Sequence, residues 1–315
     1  MFSVAGGMVP AHAIRGLEDK YFRSMSAKNP WGSPIVTVKP RPWRAGGIIL
    51  GGDRPLLMGI LNVTPDSFFD GGKHAGVEEA LRFAEALLEA GADILDVGGE
   101  STRPGADPVP EAEELARTRP VVEAIRKRFA APISIDTMKA NVARAALDAG
   151  ASIINDISAM EHDPLMLEVP QAFGAGVVLN HMRGAPKDMQ RAPSYQNVVD
   201  EVREYLKGRV QLLAAMGVAA DRIAVDPGIG FGKRVKDNYA LLEHLEALDG
   251  LGCPILVGAS RKSFIGKTEG LAESDRLIPS IAVALYAALK GASILRVHDV
   301  RETREALAMM AAVRG

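Results

Sequence analysis

The chain has 315 residues, of which 47% are hydrophobic and 24% charged, and its formal net charge is -2. These values are typical of a soluble globular protein with a sizeable core, and they exclude the strongly basic surface that binds nucleic acid. No apolar run is long enough to span a membrane, and the N-terminus lacks the apolar core of a signal peptide, so we expect a cytoplasmic protein. The single cysteine, Cys253, excludes an internal disulfide bond and precedes an apolar run, which favours a packed thiol over a nucleophile.

Residues 1–42 differ from the rest of the chain. They mix glycine, proline, methionine and scattered charges without a sustained hydrophobic period, which indicates an extension rather than a domain. Residues 43–54 predict a small β-hairpin with its turn at Gly51, Gly52 and Asp53. We therefore divide the chain into an N-terminal extension, residues 1–42, and one folded domain, residues 43–315.

From Pro55 onward, short apolar strands alternate with helical patterns. The strands are predicted at residues 56–61, 93–97, 132–135, 152–155, 176–180, 223–226, 254–258 and 293–297. The helices are predicted at residues 77–90, 111–129, 139–149, 163–173, 197–216, 236–248, 275–290 and 301–313. Evenly spaced strand–helix units without a change in composition favour a single α/β domain, a closed (β/α)8 TIM barrel, over an open sheet or two domains. The helix near residues 280–289 is apolar on almost every side, which predicts that it is buried, for instance in a subunit interface.

Polar residues stand where the predicted strands end. In a parallel barrel, the carboxyl ends of all strands face one mouth, so side chains at these positions converge. In chain order they are Asn62, Asp96, Asp136, Asn155 with Asp156, His181 with Arg183, Asp226, Lys262, and Arg296 with His298.

One group of these residues suits a flat heterocycle. The oxygens of Asp136, Asn155 and Asp226 can accept hydrogen bonds from a guanidine-like edge, and Lys262 can donate to a ring carbonyl. Carboxylates in such positions can instead cap the following helices, as we expect for Asp156 and Asp163.

A second group is rich in cations and hydrogen-bond donors. Thr102, Arg103, Arg296 and His298 suit a phosphate or pyrophosphate group, and Arg296 and His298 lie on the same face of their strand. Asn62 offers a neutral oxygen to a Mg2+ ion that is held mainly by substrate phosphates. For His298, a hydrogen-bonded histidine at the barrel rim is the alternative. Two loops with glycines and prolines, residues 63–72 and 98–110, are placed to close over the mouth and exclude water.

With these motifs assembled, the chain resembles the dihydropteroate synthases, enzymes of folate biosynthesis. The matching segments follow the family's order between residues 55 and 300 and read GILNVTPDSFFDGG, DVGGESTRPGA, SIDT, IINDIS, HMRG, DPGIGFGK, SRKSFIG and RVHDV. The resemblance implies condensation of 6-hydroxymethyl-7,8-dihydropterin diphosphate with p-aminobenzoate, which releases pyrophosphate, with Mg2+ as cofactor.

The resemblance also implies roles for individual residues. The dihydropterin pocket falls on Asp136, Asn155, Asp226, Lys262 and Arg296. The diphosphate site, with Mg2+ on Asn62, falls on Asn62, Thr102, Arg103, Arg296 and His298. The p-aminobenzoate pocket falls on Phe68, Pro104, Lys262 and Ser263. Catalytic roles fall on Asp136, Lys262 and Asp70.

As the order of steps, we expect the carbon–oxygen bond to pyrophosphate to break first, giving a pterin methylene cation that the amine of p-aminobenzoate attacks. Mg2+ and the cationic side chains stabilise the leaving group, while Asp136 and Asp70 offset the positive charge. The family resemblance and the apolar helix near residues 280–289 together imply a homodimer. Phe69 stands where the family usually has a small residue, which bears on how the first loop packs.

Two alternatives differ in what they require. A pterin-binding methyltransferase on the same barrel shares the carboxylate pocket, but it has no need of the STRPG and SRKS segments or of the Arg296–His298 pair. A catalytically inactive barrel that is kept for binding should have lost Asn62, Asp136 or Lys262, all of which are present. The sequence therefore favours the synthase.

Overall fold

The computed structural model describes residues 39–64 and 73–314, so that Phe68, Asp70 and residues 1–38 of the predicted extension lie outside the described residues. Two short strands come first, β1 (Trp43–Ala45) and β2 (Ile48–Leu50). The further strands are β3 (Leu56–Asn62), β4 (Ile94–Gly98), β5 (Ile133–Asp136), β6 (Ile153–Asp156), β7 (Gly176–Asn180), β8 (Ile223–Asp226), β9 (Leu256–Val257) and β10 (Ile294–Val297).

Helices follow the barrel strands. The α-helices of the described residues are α1 (Lys73–Ala90), α2 (Glu111–Arg128), α3 (Ala140–Asp148), α4 (Val169–Phe173), α5 (Val198–Ala215), α6 (Val235–Glu243), α7 (Ser263–Glu269), α8 (Leu277–Leu289) and α9 (Val300–Arg314). Short 3-10 helices lie at Pro164–Glu168, Ala220–Arg222, Leu245–Leu251 and Glu273–Asp275. Among the helices that the structure describes, none combines the length and apolar character of a membrane span.

The strands β3 to β10 form one closed parallel sheet. Their spatial order is β8-β7-β6-β5-β4-β3-β10-β9, and every neighbouring pair in it is parallel. The two ends of this order meet at a parallel bridge between Val225 and Ile255, where the Val225 amide donates to the carbonyl of Pro254 at 2.9 Å. The predicted (β/α)8 TIM barrel is therefore confirmed.

Inside the barrel, the inward side chains change from apolar to polar along each strand. Ile94 and Ile294 belong to a buried apolar cluster at the N-terminal end of the barrel. Two residues later, where a strand returns to the same face, the inward side chains are Asp96 and Arg296. The same period places further polar residues at the mouth, namely Asp136, Asn155 and Asp226.

The hairpin of β1 and β2 covers the opposite end of the barrel. Trp43 is fully buried in the apolar cluster, and its Nε1 donates to the carbonyl of Arg222 at 2.9 Å. The predicted hairpin is present, but the predicted turn is wrong. The register pairs Ala45 with Ile48, so the turn lies at Gly46 and Gly47, whose φ angles are +55° and +85°. A two-residue turn of this hand needs positive φ at both positions, and this earlier pair of glycines supplies them.

Three elements differ from the predicted pattern. The short helix α7 was not predicted, because its 7 residues include a glycine and show little periodicity. The predicted helix at residues 163–173 is divided into a 3-10 turn and α4, with Pro170 near the start of α4. The apolar helix α8 is not buried all round within one chain: its buried residues are Ser280, Ala284, Ala287 and Ala288, and Ile278 is 77% exposed.

Candidate active site at the barrel mouth

A partly buried guanidinium joins two buried carboxylates at the centre of the mouth. Arg296 donates from Nε to Asp96 Oδ2 at 2.6 Å and from Nη2 to Asp136 Oδ2 at 2.7 Å. Asn155 Nδ2 donates to the same Asp96 oxygen at 3.2 Å. Three predicted site residues are thereby brought together around Asp96, which stands at a predicted strand end but was not among the predicted binding residues. Its inward position two residues after Ile94 was the signal that could have placed it in the pocket.

Each of the two carboxylates keeps one oxygen for another donor. Asp96 Oδ1 and Asp136 Oδ1 are buried and have no hydrogen-bond partner among the residues that the structure describes. A buried carboxylate oxygen without a donor is costly, so these two atoms are suited to accept N–H groups of a ligand. Burial raises the pKa of Asp136 to about 7, although Arg296 opposes this shift, and the neighbouring Asp96 raises the pKa further.

Strand register places the predicted magnesium ligand beside this group. Asn62 pairs with Gly98, Gly98 with Asp136, and Asp136 with Asn155, which puts these positions side by side around the mouth. A Cβ atom at Gly98 would lie 3.5 Å from both Asn62 Oδ1 and the Cβ of Asp136. The glycine therefore leaves open space between the amide oxygen and the carboxylate.

Lys262 reaches the mouth from the loop between β9 and α7. Its Nζ donates to the carbonyl of Ile229 at 2.5 Å and lies 4.2 Å from the ring centroid of Phe231, a cation–π contact. Burial lowers the pKa of Lys262 to about 8, although the Asp226 carboxylate opposes the shift. Burial raises the pKa of Asp226, which accepts a hydrogen bond from the Gly228 amide at 2.7 Å.

The loop that follows Asp226 depends on a glycine. Gly228 has a φ of +69°, and a Cβ atom there would lie only 1.9 Å from the carbonyl oxygen of His181. The loop can therefore lie directly on the end of β7 only with glycine at this position. Phe231, which this loop carries beneath Lys262, was also missing from the predicted site, because the sequence does not show which loop crosses the mouth.

Positive charge surrounds His298. Its Nδ1 lies 3.0 Å from Ser260 Oγ. Burial lowers the pKa of His298 to about 4, and Arg296, Arg261 and Arg103 lower it further, against the effect of Asp299. The field of the three guanidinium groups is the kind that attracts an anionic group.

The loop of residues 98–110 contacts two other segments at the mouth. Thr102 is half-buried, and the side chain of Arg103 is 66% exposed and pairs with Glu273 at 3.2 Å. The amide of Gly105 donates to the carbonyl of Pro186 at 3.0 Å. The loop thus contacts the loop after β7 and the segment after α7.

The predicted p-aminobenzoate residues are only partly located. Pro104 and Ser263 are exposed, and Ser263 follows Lys262 as the first residue of α7. The fourth residue of this set, Phe68, and the predicted catalytic Asp70 lie outside the described residues. The p-aminobenzoate pocket remains a prediction.

Comparison with known proteins agrees with this geometry. The sequence profile described as "Pterin binding enzyme" matches residues 58–298. The chain is 48% identical over 268 residues to the dihydropteroate synthase of Escherichia coli (strain K12), covering 85% of this chain and 95% of that one.

Two solved structures have the same fold. The Xanthomonas albilineans dihydropteroate synthase with 4-aminobenzoic acid matches with a TM-score of 0.82 and 46% identity, over 88% of this chain and 99% of that one. The Burkholderia cenocepacia enzyme complexed with 7,8-dihydropteroate matches with a TM-score of 0.80 and 48% identity, over 88% and 98% of the two chains. The chain belongs to the pterin-binding enzyme family and, within it, to the dihydropteroate synthases.

Proposed function

We propose a role for each residue of the barrel mouth in the reaction of the family. This chain catalyses the condensation of 6-hydroxymethyl-7,8-dihydropterin diphosphate with p-aminobenzoate, which gives 7,8-dihydropteroate and pyrophosphate. The observation that carries the assignment is the group of Asp96, Arg296 and Asp136, in which each of the two buried carboxylates keeps one unpaired oxygen.

The dihydropterin binds across this group. The free oxygens of Asp96 and Asp136, with the amide of Asn155, accept the N–H groups of the heterocycle's guanidine-like edge. Asp226 completes the acidic wall, and Lys262 donates to the ring carbonyl. Arg296 holds the two carboxylates in place and balances part of their charge.

The diphosphate lies towards the cations of the opposite side. Thr102, Arg103 and His298 donate to its oxygens, and the positive charges of Arg296, Arg261 and Arg103 around His298 favour the anion. Because Nδ1 of His298 lies beside Ser260, Nε2 is the ring nitrogen left for the substrate. Arg103 exchanges its exposed contact with Glu273 for the diphosphate.

The donors present fit a magnesium ion that is held mainly by its substrate. In the described part of the chain, no group of three His, Cys, Asp or Glu side chains is arranged to hold a metal ion. Asn62 offers one neutral oxygen beside the open space at Gly98, which suits a Mg2+ ion whose other ligands are diphosphate oxygens and water. When bound, Mg2+ neutralises negative charge on the leaving group.

The chemistry is a substitution at the methylene carbon of the pterin. The carbon–oxygen bond to pyrophosphate breaks first, and the electron pair leaves with the oxygen. The carboxylates of Asp136 and Asp96 stabilise the resulting cation in a buried site, where fixed charges act strongly. The amine of p-aminobenzoate, held near Lys262, Ser263 and Pro104, then forms the carbon–nitrogen bond and loses a proton.

We also propose that the chain is a homodimer in the cytoplasm. Helix α8 buries only one stripe of small residues and leaves the apolar side chain of Ile278 77% exposed, which suits association with a second copy. Cys253 is a free, buried thiol whose pKa burial raises to about 11, and an inert thiol of this kind suits a reducing compartment.

The dependence on Mg2+ tests the diphosphate site. The purified enzyme should form dihydropteroate with Mg2+, lose that activity on addition of EDTA, and regain it when Mg2+ is restored in excess. Asn62→Ala should raise the Mg2+ concentration needed for half-maximal rate, whereas Asn141→Ala, on the exposed side of α3, should leave it unchanged. The same Mg2+ requirement in both variants would contradict the assignment of Asn62.

A further inference from the structure

We propose that Lys233 is a positioning residue that fixes the substrate contacts of Lys262 through the loop of residues 228–232. The proposal rests on the role given to Lys262 above. Lys233 is buried, and its hydrogen-bond partners are atoms of His181 and Phe231.

The Lys233 ammonium is placed among three acceptors. Its side chain is buried, with the residue 3% exposed, and Nζ lies 2.9 Å from His181 Nδ1, 3.2 Å from the His181 carbonyl and 3.1 Å from the Phe231 carbonyl. Burial lowers the pKa of Lys233, while the carboxylates of Asp226 and Asp237 oppose that shift. In its ammonium form the side chain has three N–H donors, so each acceptor can take one of them. Burial lowers the pKa of His181 to about 2, and the charges of Lys233 and Arg183 lower it further, so the neutral ring can accept at Nδ1.

A single residue, Phe231, connects the two lysines. Its backbone carbonyl accepts from Lys233, and its ring lies 4.2 Å from the Nζ of Lys262. The same loop supplies the Ile229 carbonyl, which accepts from Lys262 Nζ at 2.5 Å. Both protein groups that orient the Lys262 ammonium therefore lie on the loop that Lys233 holds.

Lys233 joins this loop to the barrel itself. Lys233 donates to the carbonyl of His181, the residue immediately after β7. The loop lies against the same carbonyl at Gly228, where a Cβ atom would not fit. Further contacts hold the loop from outside, including the bond from the Tyr195 hydroxyl to the Gly232 carbonyl at 2.8 Å. The Gly228 amide bonds to Asp226 at the end of β8, and the bonds of Lys233 fix the loop to the end of β7, where a small shift would move Phe231 and Ile229 relative to Lys262.

Burial of the charged Lys233 side chain is unfavourable if the side chain only fills space. Burial of an ammonium group costs free energy unless the group is hydrogen-bonded, and an apolar side chain of similar length would avoid that cost. The charge at Lys233 is therefore better explained by the geometry that its three hydrogen bonds impose.

The test is a double-mutant cycle with Lys233→Met and Lys262→Met, singly and together. The readouts are kcat/KM for the dihydropterin diphosphate and the dissociation constant of 7,8-dihydropteroate measured by calorimetry, which remains measurable in slow variants. In the wild-type background, Lys233→Met should lower kcat/KM and raise the dissociation constant, each by about tenfold. Once Lys262 is Met, it should change neither value. Lys290→Met, which removes another buried lysine directly after the end of α8, is the control and should leave both values unchanged.

Other outcomes overturn the proposal. Equal weakening by Lys233→Met in both backgrounds would mean that Lys233 acts independently of Lys262, and no weakening in either would mean that it does not position the site. If Lys262→Met alone bound product as tightly as wild type, the role of Lys262 itself would fail, and the proposal with it. If Lys233→Met does not fold, Lys233→Gln, which keeps two N–H donors, replaces it in the same cycle.

Discussion

At the scale of single residues, the mouth is organised by one arginine. Arg296 bonds to two carboxylates that come from strands on the far side of β3, separated from it by 200 and 160 residues. Burial alone would lower its pKa, but Asp96 and Asp136 outweigh that effect and raise it. Arg296 therefore stays charged and fixes the direction in which the two free carboxylate oxygens point.

Asp136→Asn tests the acidic side of the pocket. The amide keeps the shape of the side chain but can no longer offset the positive charge of the pterin cation, so we expect kcat/KM to fall by about 100-fold. Steady-state kinetics with varied dihydropterin diphosphate measure this. His162→Ala, at an exposed position, should change little, and similar values for the two variants would refute the assignment of the pocket.

Lys262 predicts the alkaline side of the pH profile. Because burial lowers its pKa to about 8, the ammonium loses its proton above that pH, and kcat/KM should then fall by about tenfold for each pH unit. In Lys262→Arg the guanidinium stays charged, so the fall above pH 8 should disappear even if the activity is lower throughout. Lys187→Arg, at an exposed position, should keep the wild-type profile. A fall that persists in Lys262→Arg would assign it to another group.

Residue types and the two-residue period of the strands predicted which side chains face the site. They did not predict which hydrogen-bond and ion-pair partners each side chain has. Asp156 and Asp163 bond to nearby backbone amides, as expected of residues that cap and turn: Asp156 accepts from Ser158 at 2.7 Å, and Asp163 from Leu165 at 3.0 Å. Arg296 was predicted for both pterin and diphosphate, and two of its donors are committed to carboxylates. That pairing depends on β10 lying beside β3, which only closure of the barrel decides.

At the scale of elements, the hairpin of β1 and β2 closes the end of the barrel opposite the candidate active site. Trp43 fills the apolar cluster there, and Arg41 donates from its backbone amide to Ser293 Oγ at 2.9 Å and pairs with Asp249. A hairpin was predictable from its glycines, but its turn was placed one glycine pair too late. Two glycine pairs occur within seven residues, and the register is decided by the burial of both Trp43 and Ala45, whose side chains point into the barrel.

Trp43→Ala should therefore reduce stability and spare the active site. Removal of a fully buried tryptophan leaves a cavity, and we expect the free energy of unfolding to fall by about 3 to 5 kcal/mol. Urea denaturation measures the loss, and KM for both substrates should stay close to wild type because the mouth lies at the other end of the strands. Ile49→Ala, where the side chain is 67% exposed, should cost less than about 0.5 kcal/mol. A large change in KM with little loss of stability would contradict the position of the hairpin.

At the scale of the whole molecule, the regular alternation of strands and helices was enough to predict the closed barrel. The alternation did not predict which apolar surface stays exposed in a single chain. Helix α8 carries no charged residue between Leu277 and Leu289, yet the neighbouring elements bury only its stripe of small residues. An apolar helix was expected to be covered on all sides, and within one chain it is not.

Ile278→Glu tests the proposed homodimer. A carboxylate on the exposed apolar side of α8 would have to be desolvated in a subunit interface, so the variant should be a monomer at micromolar concentration, where we expect the wild type to be a dimer. Light scattering after size-exclusion chromatography measures the mass. Leu165→Glu, at an exposed leucine on the 3-10 helix Pro164–Glu168, should remain a dimer. A monomeric wild type would refute the homodimer.

The most direct test of the catalytic assignment is pyrophosphate release from 6-hydroxymethyl-7,8-dihydropterin diphosphate and Mg2+, followed with and without p-aminobenzoate. With p-aminobenzoate, we expect one pyrophosphate for each dihydropteroate formed. Without it, we expect slower release, because the carbon–oxygen bond breaks before the amine attacks. Release that strictly requires p-aminobenzoate would contradict the order of steps, and pterin binding with no release under either condition would contradict the synthase chemistry of this site.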